Sequence, residues 1–239
     1  MNPDGSGKQL VKRFSDFPIP DESHVTSLAW SPNGKEIIFS SLGDRLIAVE
    51  IATGNVRVLM ERLIEFRQIL WPQISPLGML SFITDGDVYV VDSWLDQNGL
   101  LQVDAESATV VVSGGGEFAT VLRFAWSPDG TRVACIRNID SPDYNDTQQL
   151  EVYDWVLNEF TLLLEESDPR LLTARPTWSP DGSQIAIHAW VTTSNGKEGW
   201  DIVRITDWED AVNRQFINVT RTDRANEGWP VWNPGWQAP

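Results

Sequence analysis

The chain is a succession of short apolar runs separated by turn residues, and the runs come in groups. An apolar run ends on tryptophan and meets Ser-Pro-Asn-Gly or Ser-Pro-Asp-Gly at Trp30, Trp126 and Trp178; Val25 to Trp30 and Val121 to Trp126 are the clearest. Proline presets φ and glycine accepts positive φ, so each tetrapeptide is a turn. A second run follows at once: Glu36 to Phe39, Arg132 to Ile136, and Gln184 to Ile187. Two such runs around a tight turn predict a β-hairpin. A third run covers Arg45 to Ile51, Asp87 to Asp92, Gln149 to Tyr153 and Asp201 to Ile205. A fourth covers Asn55 to Leu59, Thr109 to Val112, Glu159 to Leu164 and Gln215 to Val219. Helices are expected to be scarce; the candidates for a helical turn are Trp208 to Val212 and Glu61 to Phe66.

The groups repeat. The turn residues Trp30, Pro32 and Gly34 return as Trp126, Pro128, Asp129 and Gly130, and again as Trp178, Pro180, Asp181 and Gly182. Degenerate copies lie at Ile74-Ser75-Pro76-Leu77-Gly78 and at Val231, Trp232, Asn233, Pro234 and Gly235. The prolines at 32, 76, 128, 180 and 234 are spaced by 44, 52, 52 and 54 residues. Four short strands per unit of about 50 residues, in serial order, predict a β-propeller blade. The expected fold is all-β: one propeller over 1–239, with serial four-stranded antiparallel blades at about 25–60, 68–112, 120–164 and 174–220. An outer strand at 8–14 and an inner strand at 228–233 are expected from incomplete blades. Those two strands cannot complete one blade without the two between them. The expectation is therefore the C-terminal part of a larger propeller, with missing blades or a second copy covering the open apolar ends.

Composition narrows the chemistry. The single cysteine, Cys135, excludes an internal disulfide and a cysteine-based zinc site, and two histidines (His24 and His188) leave little for multi-histidine centres. With 34 acidic and 18 basic residues the net charge is −16. That field repels phosphate backbones and anionic lipid, so no nucleic-acid partner is expected. No apolar run approaches the ~18–20 residues of a membrane-spanning helix, and no membrane insertion is expected. Residues Met1 to Asp16 show no signal-peptide pattern.

The Trp-Ser-Pro-Asp-Gly turn, the Ile/Val-rich strand after it, and the Thr-Gly or Asp-Gly link before the last strand together resemble the TolB-like propellers with WD-like repeats. The resemblance runs from Asp4 to Trp236; the second repeat departs from it, with Trp71-Pro72-Gln73-Ile74 before its turn. It implies a periplasmic or extracellular setting and a ligand-facing side formed by the loops between blades. Fold likeness of this kind is a poor guide to function.

Candidate chemistry is sparse. The repeat tryptophans are expected to pack between neighbouring blades, and Asp129 and Asp181 to bond backbone amides of their own turns. The loops between blades carry Arg62, Arg67, Arg170, Arg175, Arg221 and Arg224, an unexpected basic share in so acidic a chain. Arginine pairs carboxylates bidentately, which suits an acidic peptide or partner; the alternative is local pairing with Glu65, Glu165, Glu166, Asp168, Asp223 and Glu227. Asp140, Asp143 and Asp146 lie in one oxygen-rich insertion, but without the spacing of a calcium loop. Ser113-Gly114-Gly115-Gly116 precedes no helix and reads as a loop. Trp94 to Asp104 and Asn195 to Gly199 read as enlarged, variable hairpins. The inner strands offer Ser27, Thr120, Arg123 and Thr177 as polar groups, and no Gly-x-Ser-x-Gly elbow exists.

The expected function is a non-catalytic propeller that binds a protein or peptide, needs no cofactor or metal, and is not an enzyme. The alternative is the propeller part of a hydrolase: the gating domain of a peptidase, or a hydrolase using carboxylates and a cation.

Overall fold

The computed structural model describes residues 25–41, 45–61, 69–114, 119–139, 147–166, 175–192, 196, 198–220, 230 and 232. Among the described residues there is no helix. The strands of the first sheet are β1 (Val25–Trp30), β2 (Glu36–Ser41), β3 (Arg45–Glu50) and β4 (Val56–Glu61). The second holds β5 (Leu70–Ile74), β6 (Leu80–Thr84), β7 (Asp87–Leu95) and β8 (Leu101–Val112). The third holds β9 (Ala119–Trp126), β10 (Arg132–Ile139), β11 (Thr147–Asp154) and β12 (Glu159–Glu166). The fourth holds β13 (Thr177–Trp178), β14 (Ile185–Thr192), β15 (Glu198–Thr206) and β16 (Gln215–Asn218). In every sheet each strand pairs with the next in sequence, giving four four-stranded antiparallel blades in serial order.

The chain packs as two compact bodies. One comprises Met1–Asp85 and Tyr89–Thr109, the other Gly86–Val88 and Val110–Pro239. In the first, Ile38, Leu46, Phe82, Leu80, Val91 and Leu101 share one buried cluster. In the second, Ala134, Ile136, Leu150, Val152, Ile185, Ile187 and Trp178 do the same. Middle strands are covered on both faces: Val133, Ala134, Cys135 and Ile136 are all fully buried. That is why they read as continuous apolar runs and not as alternating ones. Burial also pushes the Cys135 thiol far above its usual range.

One set of atoms locks each repeat turn. The hydroxyls of Ser31, Ser127 and Ser179, all buried, accept the amides of Glu36, Arg132 and Gln184, each at 2.9 Å. The same hydroxyls donate to Asn33, Asp129 and Asp181 at 3.0, 2.6 and 2.7 Å. Those side chains in turn accept the amides of Lys35, Thr131 and Ser183. Gly34, Gly130 and Gly182 supply the positive φ. The second sheet closes one residue earlier, with the Ser75 amide donating to the Met79 carbonyl. Its inner strand carries a bulge at Trp71-Pro72, where Trp71 has φ 55°.

One expectation changes. Trp208 to Val212 is a pair of tight turns, not a helical turn, because Asp207 enters at φ 50° and Arg214 binds the Trp208 carbonyl. Of the other helical candidate only Glu61 is described, at the end of β4, and residues 62–66 lie outside the described residues. Trp94 to Asp104 is a hairpin as expected, and its turn is held: Asp96 accepts the amides of Asn98 and Leu100, and the carbonyls of Gly99 and Asn98 accept Asn33 and Lys35. The strand expected at 8–14 lies outside the described residues, as does that at 228–233 apart from Pro230 and Trp232.

Candidate functional site: the inner strands of the third and fourth blades

The inner strands carry a tryptophan relay. The Trp178 indole donates to the Ala125 carbonyl at 3.1 Å, and the Trp232 indole donates to the Thr177 carbonyl at 3.1 Å. Each acceptor is the residue just before the preceding repeat tryptophan. A second tryptophan caps each turn: Trp155 donates to the Gly130 carbonyl and stands edge-on to Trp126, and Trp208 donates to the Gly182 carbonyl and stands edge-on to Trp178. Trp126 and Trp178 are accordingly buried. Trp30 is not: it is 60% exposed, and the residue matching Trp155 in its repeat is Ile51.

The six loop arginines fare unequally. Arg62, Arg67, Arg170, Arg221 and Arg224 lie outside the described residues, as do Asp140, Asp143, Asp146 and Pro234. Arg175 is described, half-buried, two residues before β13. Its counterpart was visible in the sequence only as an inner-strand polar group. Arg123 lies on β9, three residues before Trp126, as Arg175 lies three before Trp178, so the arginines and the tryptophans share one spacing of 52 residues. The two arginines therefore hold the same repeat position in consecutive blades, Arg123 on β9 and Arg175 just before β13, and β9 and β13 are in contact. Burial, and after it the charge of Arg175, hold the Arg123 guanidinium below its usual range; burial does the same to Arg175. Both shifts report cations held partly out of water, and that of Arg123 also carries the field of Arg175. Arg123 also donates to the Leu122 carbonyl at 2.6 Å, which anchors its head.

Two clefts offer the opposite chemistry. One of about 340 Å³ is lined by Asp181, Gly182, Ser183, Asp207, Trp208, Glu209 and Asp210. The other, of similar volume, is lined by Ser127, Pro128, Asp129, Arg132, Pro180, Asp181 and Gly182. Their carboxylates are engaged in structure. Asp181 accepts from Ser179 and Ser183, and Asp210 from Asn213 and the Val212 amide. Arg132 bridges Asp154 and Glu209, each at 3.2 Å, and lies over the Trp208 ring. Neither cleft is lined by Arg123 or Arg175. Among the described residues no group of three or more His, Cys, Asp or Glu is placed to hold a metal ion.

No protein-family model and no curated protein matches the chain. Solved structures do match. An oligogalacturonate lyase in complex with manganese is 13% identical over 85% of this chain and 56% of its own, with a TM-score of 0.53. The structure described as TolB of Agrobacterium tumefaciens is 17% identical over 82% of this chain and 62% of its own, with a TM-score of 0.51. A periplasmic gluconolactonase of Pseudomonas aeruginosa is 15% identical over 82% of this chain and 54% of its own, with a TM-score of 0.49. The chain thus spans between about half and two thirds of these proteins' lengths. The expectation that the chain is not an enzyme is corrected by the first of them. A lyase stands on the same fold, so the fold and the want of a familiar catalytic motif do not exclude catalysis. What the likeness establishes, together with the four serial blades, is a β-propeller fold.

Proposed function

We propose that this propeller binds a protein or peptide through an acidic segment, and that Arg123 and Arg175 receive its carboxylates. The observation that supports this reading is their shared repeat position in consecutive blades, half-buried and close enough for the Arg175 charge to act on Arg123. A carboxylate set between two guanidiniums accepts charge-assisted hydrogen bonds from both, which are stronger than neutral ones. Neighbouring carboxylates on an extended peptide repeat at about 6.6–7 Å for alternate residues, so one short acidic run meets more than one basic group. The chain as a whole, at −16, repels such a peptide. Binding therefore depends on this basic spot and not on a diffuse field. The A. tumefaciens TolB structure shares the fold and adds no residue-level argument.

Fluorescence anisotropy with two labelled peptides tests the proposal. A Glu/Asp-rich peptide is expected to bind the full chain, and its Gln/Asn counterpart of the same length to bind at least about tenfold more weakly, since each charge-assisted hydrogen bond is worth about 1.5–3 kcal/mol. Equal binding of the two peptides, or of neither, would remove the acidic-segment reading.

A further inference from the structure

The repeat does not dictate an arginine where Arg123 and Arg175 stand. Ser27 holds that position in the first repeat, three residues before Trp30. Trp71 holds it in the second, where Ile74 stands in the tryptophan's place before Ser75-Pro76. Serine, tryptophan and arginine all occupy the position, so blade packing alone does not call for a guanidinium. Two nevertheless recur in consecutive blades of one compact body, with β9 and β13 in contact. The head of Arg123 is also oriented, since its Nη1 donates to the Leu122 carbonyl at 2.6 Å. Burial disfavours both cations, and the Arg175 charge disfavours that of Arg123 further. An anion at the pair opposes that repulsion, and opposes it more the more charge it brings to one point.

We infer that Arg123 and Arg175 together hold one phosphoryl dianion, in preference to a carboxylate. The inference rests on the arginine-pair reading above and names the anion that the pair serves. A guanidinium is a planar fork, and one fork takes up both oxygens of a carboxylate. Two carboxylates are then needed to engage both arginines. A phosphoryl group carries about −1.5 to −2 charges and three strong acceptor oxygens. Those oxygens point in different directions, so two forks reach one group along different edges. Half-burial strengthens each bond, because a charge-assisted hydrogen bond gains as water is excluded. The chain at −16 repels a long acidic run, whereas a compact dianion concentrates its charge at the pair. The group is carried by a phosphorylated side chain of the acidic segment or arrives as inorganic phosphate; the chemistry at the arginines is the same.

Fluorescence anisotropy of the full chain with three labelled peptides reads it out: one acidic sequence carrying serine, glutamate or phosphoserine at its centre. The phosphoserine peptide is expected to bind about tenfold or more tighter than the glutamate peptide, as added charge-assisted hydrogen bonds would give. Arg123→Lys and Arg175→Lys keep the charge and lose the fork. Each is expected to bring the two peptides within about threefold of each other, with an unfolding midpoint close to that of the wild type. Melting curves with phosphate in place of chloride, at constant ionic strength, separate the two sources. A phosphoserine preference without a phosphate effect on melting places the group on the segment. A rise in melting temperature specific to phosphate, absent from both lysine variants, shows that the free ion suffices. Either result upholds the inference. Equal binding of the glutamate and phosphoserine peptides, with phosphate acting as chloride does, overturns it and leaves the acidic-segment reading standing. No binding of any peptide and no phosphate effect overturns both. A phosphoserine preference that survives in both lysine variants places the phosphoryl group elsewhere and overturns the inference as well.

Discussion

Replacing Ser179 with alanine isolates the atom that closes a repeat turn. Ser179 is fully buried, and its hydroxyl accepts the Gln184 amide at 2.9 Å while donating to Asp181 at 2.7 Å. Gln184 is itself 8% exposed, so its amide has little access to water once the hydroxyl is gone. An orphaned buried amide costs about 1–3 kcal/mol. The bond to Asp181 adds less, because that carboxylate is exposed and screened. The expected loss is about 2–3 kcal/mol, which for a chain of this size lowers Tm by about 4–12 °C. Urea unfolding followed by tryptophan fluorescence should show the midpoint falling with an unchanged slope. Ser127→Ala, with its hydroxyl in the same geometry, should fall in the same range. A loss below about 0.5 kcal/mol in both variants would refute the reasoning, because it would mean that the amide finds another acceptor.

Acid should act through the same turns. Hydrogen bonds from Ser179 and Ser183 hold the Asp181 carboxyl below its ordinary range. Its folded pKa being depressed, its stabilising contribution is complete above the unfolded value of about 3.9 and is lost as pH falls through the folded one. Tm should therefore drop below about pH 4, and drop less in Ser179→Ala; parallel pH profiles would count against it. Arg57→Met strands the Glu36 carboxylate, whose side chain is 1% exposed and also holds the Leu101 amide. The expected cost is about 3–5 kcal/mol in urea unfolding, partly recovered by adding Glu36→Gln; a cost under about 1 kcal/mol would show that the buried pair contributes little. Gly86→Ala should destabilise more than Gly78→Ala. Both have φ near +85°, but only at Gly86 does a Cβ come within 3.0 Å of Thr120 Cγ2 and 3.2 Å of its Cα. Equal midpoints for the two variants would place the whole cost in backbone strain.

Much of the fold was legible because its turns are built from local chemistry. Ser-Pro-Asp-Gly closes on itself through bonds spanning five residues, so its recurrence reveals a hairpin wherever it occurs. The capping tryptophans were missed although a signal existed: Asp154-Trp155 and Asp207-Trp208 recur 53 residues apart, close to the turn spacing. The same holds for Arg123 and Arg175, whose spacing of 52 equals that of their tryptophans. Superposing the repeats would have placed them at one repeat position of neighbouring blades. The turns at Trp208–Val212 were misread for another reason, since a positive φ at Asp207 leaves little trace in composition. The openness of Trp30 was not legible at all. Its motif matches those of Trp126 and Trp178, and what differs is the surroundings, Ile51 in place of a tryptophan and no strand beyond β1 among the described residues. The expectation that the chain is not an enzyme failed for a related reason, because a fold that supports a lyase elsewhere announces no reaction by its repeats.

The paired arginines are tested most directly by the salt dependence of acidic-peptide binding in Arg123→Ala/Arg175→Ala. Affinity of the wild type is expected to fall as salt rises, since screening weakens every attraction between opposite charges. The double variant should bind about tenfold or more weakly at low salt, with a visibly flatter dependence, while its unfolding midpoint stays close to that of the wild type. A double variant with the wild-type affinity and the wild-type salt slope would place the carboxylates elsewhere and contradict the account.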